Sequence, residues 1–251
     1  MLDLEAFKNT LMARQASTSE TLAYEPEIND LYFLYCVVRE KAVVSILEFG
    51  SGWSTLALAI ALQENYVNFG DAHINSIRHP NPFQLLTLDA SEKWQGLALS
   101  RLNEQERLRV TSKVVTPRLS SFQGVLCHFN DYLPNFTPDL IYLDGPDHDQ
   151  VLGAESGFEY DERFTPPISA DLLRIEPYLW PETIVVADGR TANVRFLESH
   201  FKRNWQIMHD PFGDRSVFRI NEPAFGIISQ EHVDFRLTQS RLSQSKENPQ
   251  R

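Results

Sequence analysis

Four acidic side chains stand where hydrophobic runs end. Glu48 lies in Ile46-Leu-Glu-Phe-Gly50-Ser-Gly52-Trp-Ser54-Thr55; Asp89 closes Leu86-Thr-Leu-Asp89; Asp144 closes Asp139-Leu-Ile-Tyr-Leu-Asp144; and Asp188 closes Ile184-Val-Val-Ala-Asp188. Ligands of open α/β sheets bind at the carboxyl ends of the strands, so acids recurring there define one site better than four separate solvated positions. Gly50, Ser51 and Gly52 fall between an apolar run and a helical pattern opening at Ser54 or Thr55. Glycines there let the chain turn tightly and let a ligand approach the backbone, while Ser54 or Thr55 offers a helix cap.

The residues around this turn select among ligands. A dinucleotide motif has a third glycine where this chain has Thr55, and Glu48 would set a carboxylate beside a pyrophosphate. The same carboxylate suits a ligand that carries an amino or sulfonium cation. Asp89, at the tip of the next run, is placed to accept both hydroxyls of a ribose; capping a helix that begins at Ser91 is the competing role. Its separation from Gly52 exceeds the roughly 20 residues of a compact motif, and the Asn65–Phe83 stretch accounts for the excess. His148, four residues beyond Asp144, offers a general base because imidazole titrates near neutrality; an ordinary surface histidine is the alternative. Arg190 reads as a partner for Asp188 or as a contact for an anionic acceptor.

The elements that must position these groups follow from periodicity. Val43–Phe49, Gln84–Asp89, Arg109–Thr116, Asp139–Asp144 and Thr183–Asp188 are short, nearly continuous apolar runs, as expected for parallel strands covered on both faces. Helical patterns at Thr55–Glu64, Ser91–Glu104, Ser169–Tyr178 and Ala192–Phe201 separate most of them. Trp205–Asp210 and Arg215–Ile220, joined through Pro211-Phe-Gly-Asp214, predict a final antiparallel hairpin. The fold class is therefore α/β: a Rossmann-like, doubly wound, mainly parallel sheet with a C-terminal antiparallel hairpin. Residues 1–40 read as an N-terminal helical extension, with Leu31, Leu34, Tyr35 and Val38 on one stripe, and 41–222 as the main domain. Residues 223–251 read as a polar extension that frays from about Arg236. Asn65–Phe83 and Gly145–Pro167 read as long loops, the second carrying the aromatic residues Phe158, Tyr160 and Phe164.

A chain of 251 residues suits one large domain. Its net charge of −11 disfavours nucleic acid as a partner. Cys36 and Cys127 stand apart within apolar runs, so neither a disulfide framework nor a zinc site is expected. The N-terminus lacks the pattern of a signal peptide and no stretch reaches membrane-span length, so a cytoplasmic location without membrane association is expected. Oligomeric state is left open, a homo-oligomer included.

In the order of these motifs, over Val43 to Ile220, the chain resembles the class I S-adenosylmethionine-dependent methyltransferases. The resemblance implies that Glu48, Gly50, Ser51, Gly52 and Ser54 hold the methionine portion of the cofactor, that Asp89 binds its ribose, and that Asp144 stands beside the methyl group. Leu119–Phe122 and Phe129–Tyr132 compete for the adenine-contacting role. The strings LDGPDH and VVADGR look most like the small-molecule O-methyltransferase branch, which implies Asp144, His148 and Asp188 as the catalytic group and a sugar, natural product or phenol as acceptor. Some relatives bind a divalent metal here; Mg²⁺ on Asp144 and Asp188 is the corresponding expectation, although Gly189 replaces the usual third ligand. The place of the D/N-P-P-aromatic string of amino-group methyltransferases reads Asp144-Gly-Pro-Asp. A silent cofactor-binding or interaction protein on the same fold is the alternative, and a nicotinamide oxidoreductase the third reading.

Overall fold

The computed structural model describes residues 1–16, 25–147, 150–153 and 168–247. Along the chain run α1 (Leu4–Ala16), α2 (Ile28–Glu40), β1 (Ser45–Phe49), α3 (Trp53–Ser76), β2 (Gln84–Asp89), α4 (Glu92–Ser100), α5 (Glu104–Arg107) and β3 (Val110–Val114). There follow β4 (Pro117–Phe122), β5 (Val125–Asn130), β6 (Leu140–Leu143), α6 (Asp171–Ile175), β7 (Ile184–Asp188), α7 (Thr191–His200), β8 (Trp205–Asp210), β9 (Arg215–Ile220) and α8 (Ile227–Glu247). A seven-stranded sheet has the order β3-β2-β1-β6-β7-β9-β8; its first five strands are parallel, and β9 and β8 add antiparallel at one edge.

Continuous apolar runs make central strands here because both faces are covered. Ile46, Leu85, Leu140, Tyr142, Ile184 and Val186 pack into a core shared with α1, α2 and α3. On the other side Leu47, Leu86, Ile141, Leu143, Val185 and Ala187 pack with residues of α6 and α7. Successive side chains of a strand alternate between faces, which distributes one apolar run over two cores. The expected doubly wound, mainly parallel sheet with a terminal hairpin is what forms.

Several boundaries differ from expectation. The stretch after Glu64 is no loop: α3 continues to Ser76, because Asn65, Phe69 and His73 recur every four residues on a buried stripe. Asn65 is accommodated there by donating to the carbonyls of Val38 and Val43. A two-stranded antiparallel sheet, β4 with β5, was not anticipated. Phe7, Leu11, Leu34 and Tyr35 of the N-terminal helices are buried in the core they share with α3 and the sheet, the packing on the main fold that their apolar stripe predicts. Nor does the chain fray at Arg236: α8 runs to Glu247 and buries Ser229, His232, Val233 and Arg236. Most of the predicted Gly145–Pro167 loop, with Phe158, Tyr160 and Phe164, lies outside the described residues. No helix among those described is long and apolar enough to cross a membrane.

Leu47, fully buried in β1 between β2 and β6, tests this architecture. Leu47→Ala is expected to lower the unfolding free energy by about 2–5 kcal/mol, read from urea midpoints at an unchanged m-value.

Candidate active site

The ends of β1, β2, β6 and β7 open into a cavity of about 880 Å³. That volume lies within the range of small-molecule sites, roughly 300–1,000 Å³. Its walls are completed by the start of α2, by Trp94 of α4, by Asn130 of β5 and by the β8–β9 turn. Gly50, Ser51, Gly52, Ser54, Asp89, Asp144 and Asp188 all line it, so the structure brings together seven of the nine residues singled out from sequence. Glu48 does not reach the cavity, and His148 lies outside the described residues.

Glu48 is fully buried beneath the glycine turn. Its two carboxylate oxygens accept from the Ser54 and Thr55 hydroxyls, each at 2.7 Å. Thr55 Oγ1 in turn accepts from the Gly52 amide at 3.1 Å. The carboxylate thus fastens the turn to the first turn of α3 and presents no oxygen to a ligand. Burial pushes its pKa up to about 7, against the hydroxyl hydrogen bonds.

The turn itself is shaped by backbone contact. Gly50 has φ +97°, a conformation that disfavours a side chain, and a Cβ built on Gly145 would come within 2.8 Å of the Gly50 backbone. A Cβ on Gly52 would meet nothing within 4 Å, so the cavity begins where that side chain would have been. Such a bare, open strand-to-helix turn is a cradle for a ligand's polar chain.

Asp89 is almost wholly buried at the tip of β2. One oxygen accepts from the Ser51 hydroxyl and the other from the Ser91 amide at 2.6 Å. The cap of α4 is Ser91, whose hydroxyl accepts from Trp94 N, so Asp89 is not the cap. A carboxylate offers about four acceptor sites, so with the Ser51 hydroxyl and the Ser91 and Ser51 amides as donors Asp89 keeps capacity for a ligand hydroxyl. Burial raises its pKa as well.

Asp144 opens onto the cavity floor. Its side chain is exposed to the cavity, yet desolvation by the surrounding protein, opposed by Arg190 and reinforced by Asp188 and Asp147, raises its pKa to about 7. Asp188 accepts from the Tyr142 hydroxyl at 2.9 Å, and burial raises its pKa too. Arg190 does not pair with Asp188: its guanidinium donates to the carbonyls of Asp144 and Pro146 and braces the chain leaving β6. Asp144 and Asp188 have no third donor gathered with them: among the described residues, the only group of three or more histidine, cysteine or carboxylate side chains spaced to share a metal is elsewhere.

Several cavity residues are not foreseeable from the motifs alone. Tyr142 alternates in phase with Asp144 along β6, which was a usable signal. Asp30 of α2, salt-bridged at 2.7 Å to Arg215 of β9, and Arg101, whose guanidinium lies 4.0 Å from the Trp53 ring centre, left none. Of the two candidate adenine segments, Asn130 is in the wall while Leu119–Phe122 is not, and Asn130 Nδ2 donates to the buried Asp171 at 2.8 Å.

A parallel sheet ending in an antiparallel pair, with the glycine turn after its first strand, decides the fold. It is a doubly wound, Rossmann-like α/β fold. No family model and no curated protein matches the chain. Among solved structures it is similar to an O-methyltransferase of Streptomyces achromogenes involved in tomaymycin synthesis, in complex with S-adenosylmethionine (16% identity, 88% of this chain and 92% of that one, TM-score 0.47). It is also similar to an O-methyltransferase of Bacillus cereus in complex with S-adenosylhomocysteine (15%, 88% and 92%, 0.46) and to an S-adenosylhomocysteine-bound methyltransferase of Podospora anserina (12%, 88% and 89%, 0.49).

Glu48 gives the turn a pH signature. Its folded pKa is raised, so its contribution to stability is complete below about pH 4.5 and is lost as pH rises through about 7. Glu48→Gln is expected to shrink the stability difference between pH 5 and pH 8 by on the order of 1–3 kcal/mol, measured by urea melts at each pH.

Proposed function

We propose that the chain is an S-adenosylmethionine-dependent methyltransferase acting on a hydroxyl of a small molecule: a sugar, natural product or phenol. The observation that carries this reading is the convergence of an open glycine turn, Asp89 and the Asp144–Asp188 pair on one cavity. When bound, the cofactor supplies an electrophilic methyl group on a sulfonium. Ser51 and the bare backbone of Gly50 to Gly52 would hold its amino-acid end, and Asp89 a ribose hydroxyl. Trp94, Val115 and Asn130 form the wall available to the adenine. The acids around the cavity floor favour a cationic ligand by simple electrostatics.

On this reading the protein contributes chiefly alignment of acceptor oxygen and methyl carbon, together with disposal of the hydroxyl proton. Asp144 suits the proton transfer, because with its pKa raised to about 7 it exchanges protons near neutrality. Tyr142 holds Asp188 at the edge of the same floor. Arg190 acts indirectly, by fixing the backbone of residues 144–146. His148 keeps its proposed role as a further base. Acceptor selection falls to the start of α2 and the β8–β9 turn, where Phe212 stands fully exposed at the cavity mouth.

Calorimetric titration with S-adenosylhomocysteine, with NAD as comparison, tests the reading: saturable binding of the former alone is expected. Asp89→Ala should weaken it about 10- to 100-fold, the worth of one hydrogen bond to a charged group. No binding to a folded sample would overturn the assignment, and binding without turnover across hydroxyl acceptors would favour the silent alternative. With an acceptor in hand, kcat/KM is expected to rise with pH through about 7, because Asp144 must be ionised to take a proton. Asp144→Asn should lower it about 100-fold or more and remove that limb of the profile.

A further inference from the structure

At the opposite rim of the sheet from the cavity, three of the chain's seven histidines converge on one carboxylate. Asp139, immediately before β6, is 2% exposed. Its Oδ2 accepts from the amides of Val44 and Ser45 at 2.8 and 3.2 Å. Its Oδ1 accepts from two residues of α8, His232 Nε2 at 2.7 Å and Arg236 Nη1 at 2.9 Å. The other ring nitrogen of His232 lies 3.2 Å from Nε2 of His73, in the last turn of α3. His79 stacks at 4.7 Å on His232, and Trp180 closes the group at 5.1 Å from His232 and 5.2 Å from His79. Phe235 of α8 and Phe83 cover His73.

The hydrogen-bond pattern separates a proton-sensitive site from a metal site. Donor atoms of His79, Asp139 and His232 lie within 4.8 Å of one another, a spacing a metal ion could bridge. Yet His79 Nδ1 accepts from the Asn81 amide at 3.1 Å, which puts the hydrogen of the neutral ring on the buried Nε2 and leaves no lone pair there. Asp139 is already filled by four donors, one of them the Arg236 cation, and a divalent ion would add like charge beside it. An additional proton would have to sit on His79 Nδ1, which faces the Asn81 amide hydrogen, or on His73 Nδ1, which is buried without a partner, and neither place offers an acceptor for it.

We propose that His73, His79 and Asp139 form an acid-sensitive latch that holds α8 against the rim of the sheet. With α8 docked, an added proton would create an imidazolium buried among His232, Arg236 and the aromatic rings. Burial accordingly lowers the pKa of His73 to about 3 and of His79 to about 4, from an ordinary 6.5, with Asp139 opposing and Arg236 and His232 reinforcing the shift. Removing α8 takes away His232, Phe235 and Arg236, and returns both rings to water and to their ordinary titration. The docked state thus excludes two protons that the released state binds, and docking weakens progressively as pH falls below about 6.5. Asp139, held well below the usual carboxylate range by Arg236 and His232 despite its burial, stays ionised throughout this window.

Hydrogen exchange of the full chain, corrected for intrinsic rates at pH 7.5, 6.5 and 5.5, tests the latch. Two protons predict that protection of 227–247 falls about 100-fold between pH 7.5 and 5.5 while amides of β1 and β6 keep theirs. His73→Gln keeps a donor for His232, and His79→Asn keeps an acceptor for Asn81. The double variant should show pH-independent protection of α8, and either single variant about a 10-fold fall. An unchanged pH dependence in the variants, loss of protection in β1 and β6 together with α8, or one equivalent of zinc retained by the native chain and lost from the variants would each overturn the proposal.

Discussion

Gly50 and Gly145 bring the carboxyl ends of β1 and β6 into backbone contact, and the cavity depends on that contact. Neither position has room for a methyl group: a Cβ on Gly50 would meet Gly145 N at 3.1 Å, and one on Gly145 would meet Gly50 Cα and N at 2.8 Å. The ladder continues through the contact, since Asp144 N donates to Phe49 O at 3.0 Å and Gly50 N to Leu88 O at 2.8 Å. Three strand ends are thereby held at one level. The glycine turn then rises on one side of the gap, Asp89 on a second and Asp144 on a third. Side chains at either glycine would wedge the strands apart and displace every group that faces the cleft.

Rigidity at such a point has an electrostatic cost. Glu48 is placed under the turn with no exposed surface, where its charge is disfavoured, and the Ser54 and Thr55 hydroxyls offset only part of the penalty. In return the first turn of α3 is bonded to the strand that precedes it, so the helix N-terminus and the open backbone of residues 50–52 keep a fixed relation. The guanidinium of Arg190 serves the chain after β6 in the same way by binding carbonyls. Both charged side chains thus fasten the chain at the strand ends, Glu48 through the Ser54 and Thr55 hydroxyls and Arg190 through backbone carbonyls.

How far the sequence discloses this arrangement depends on the range of the interactions involved. The central strands β1, β2, β6 and β7 were legible because burial on two faces requires continuous apolar runs, the β8–β9 hairpin because of the turn residues between its strands, and Asp89, Asp144 and Asp188 because strand ends are positions along the chain. Strand β4 was not: Arg118, Ser120 and Ser121 are exposed, and the strand is stabilised by pairing with β5. The second half of α3 was hidden because Asn65 and His73 are polar residues whose partners come from distant segments. The same holds for α8, where His232 and Arg236 look solvent-facing until Asp139, more than ninety residues away, is brought beside them. The orientation of Glu48 and the partners of Arg190 belong to this class too, since both depend on the path of an adjoining turn.

The two ends of β6 carry aspartates with opposite environments. Asp139 accepts two amides, an imidazole and a guanidinium, all supplied by the protein, and is held in its ionised form in a fully enclosed place. Among the described residues no group donates to the carboxylate of Asp144, and the acids around it make its ionisation harder. A carboxylate whose donors are built in is a fixed joint, because releasing any one of them leaves a buried charge short of a partner. One that lacks donors and titrates near neutrality gains from any ligand that brings a cation or a proton. The same residue type, separated by one four-residue strand, is thus a structural anchor at one end of the sheet and a receptive group at the other, and the difference lies wholly in what the neighbouring elements supply.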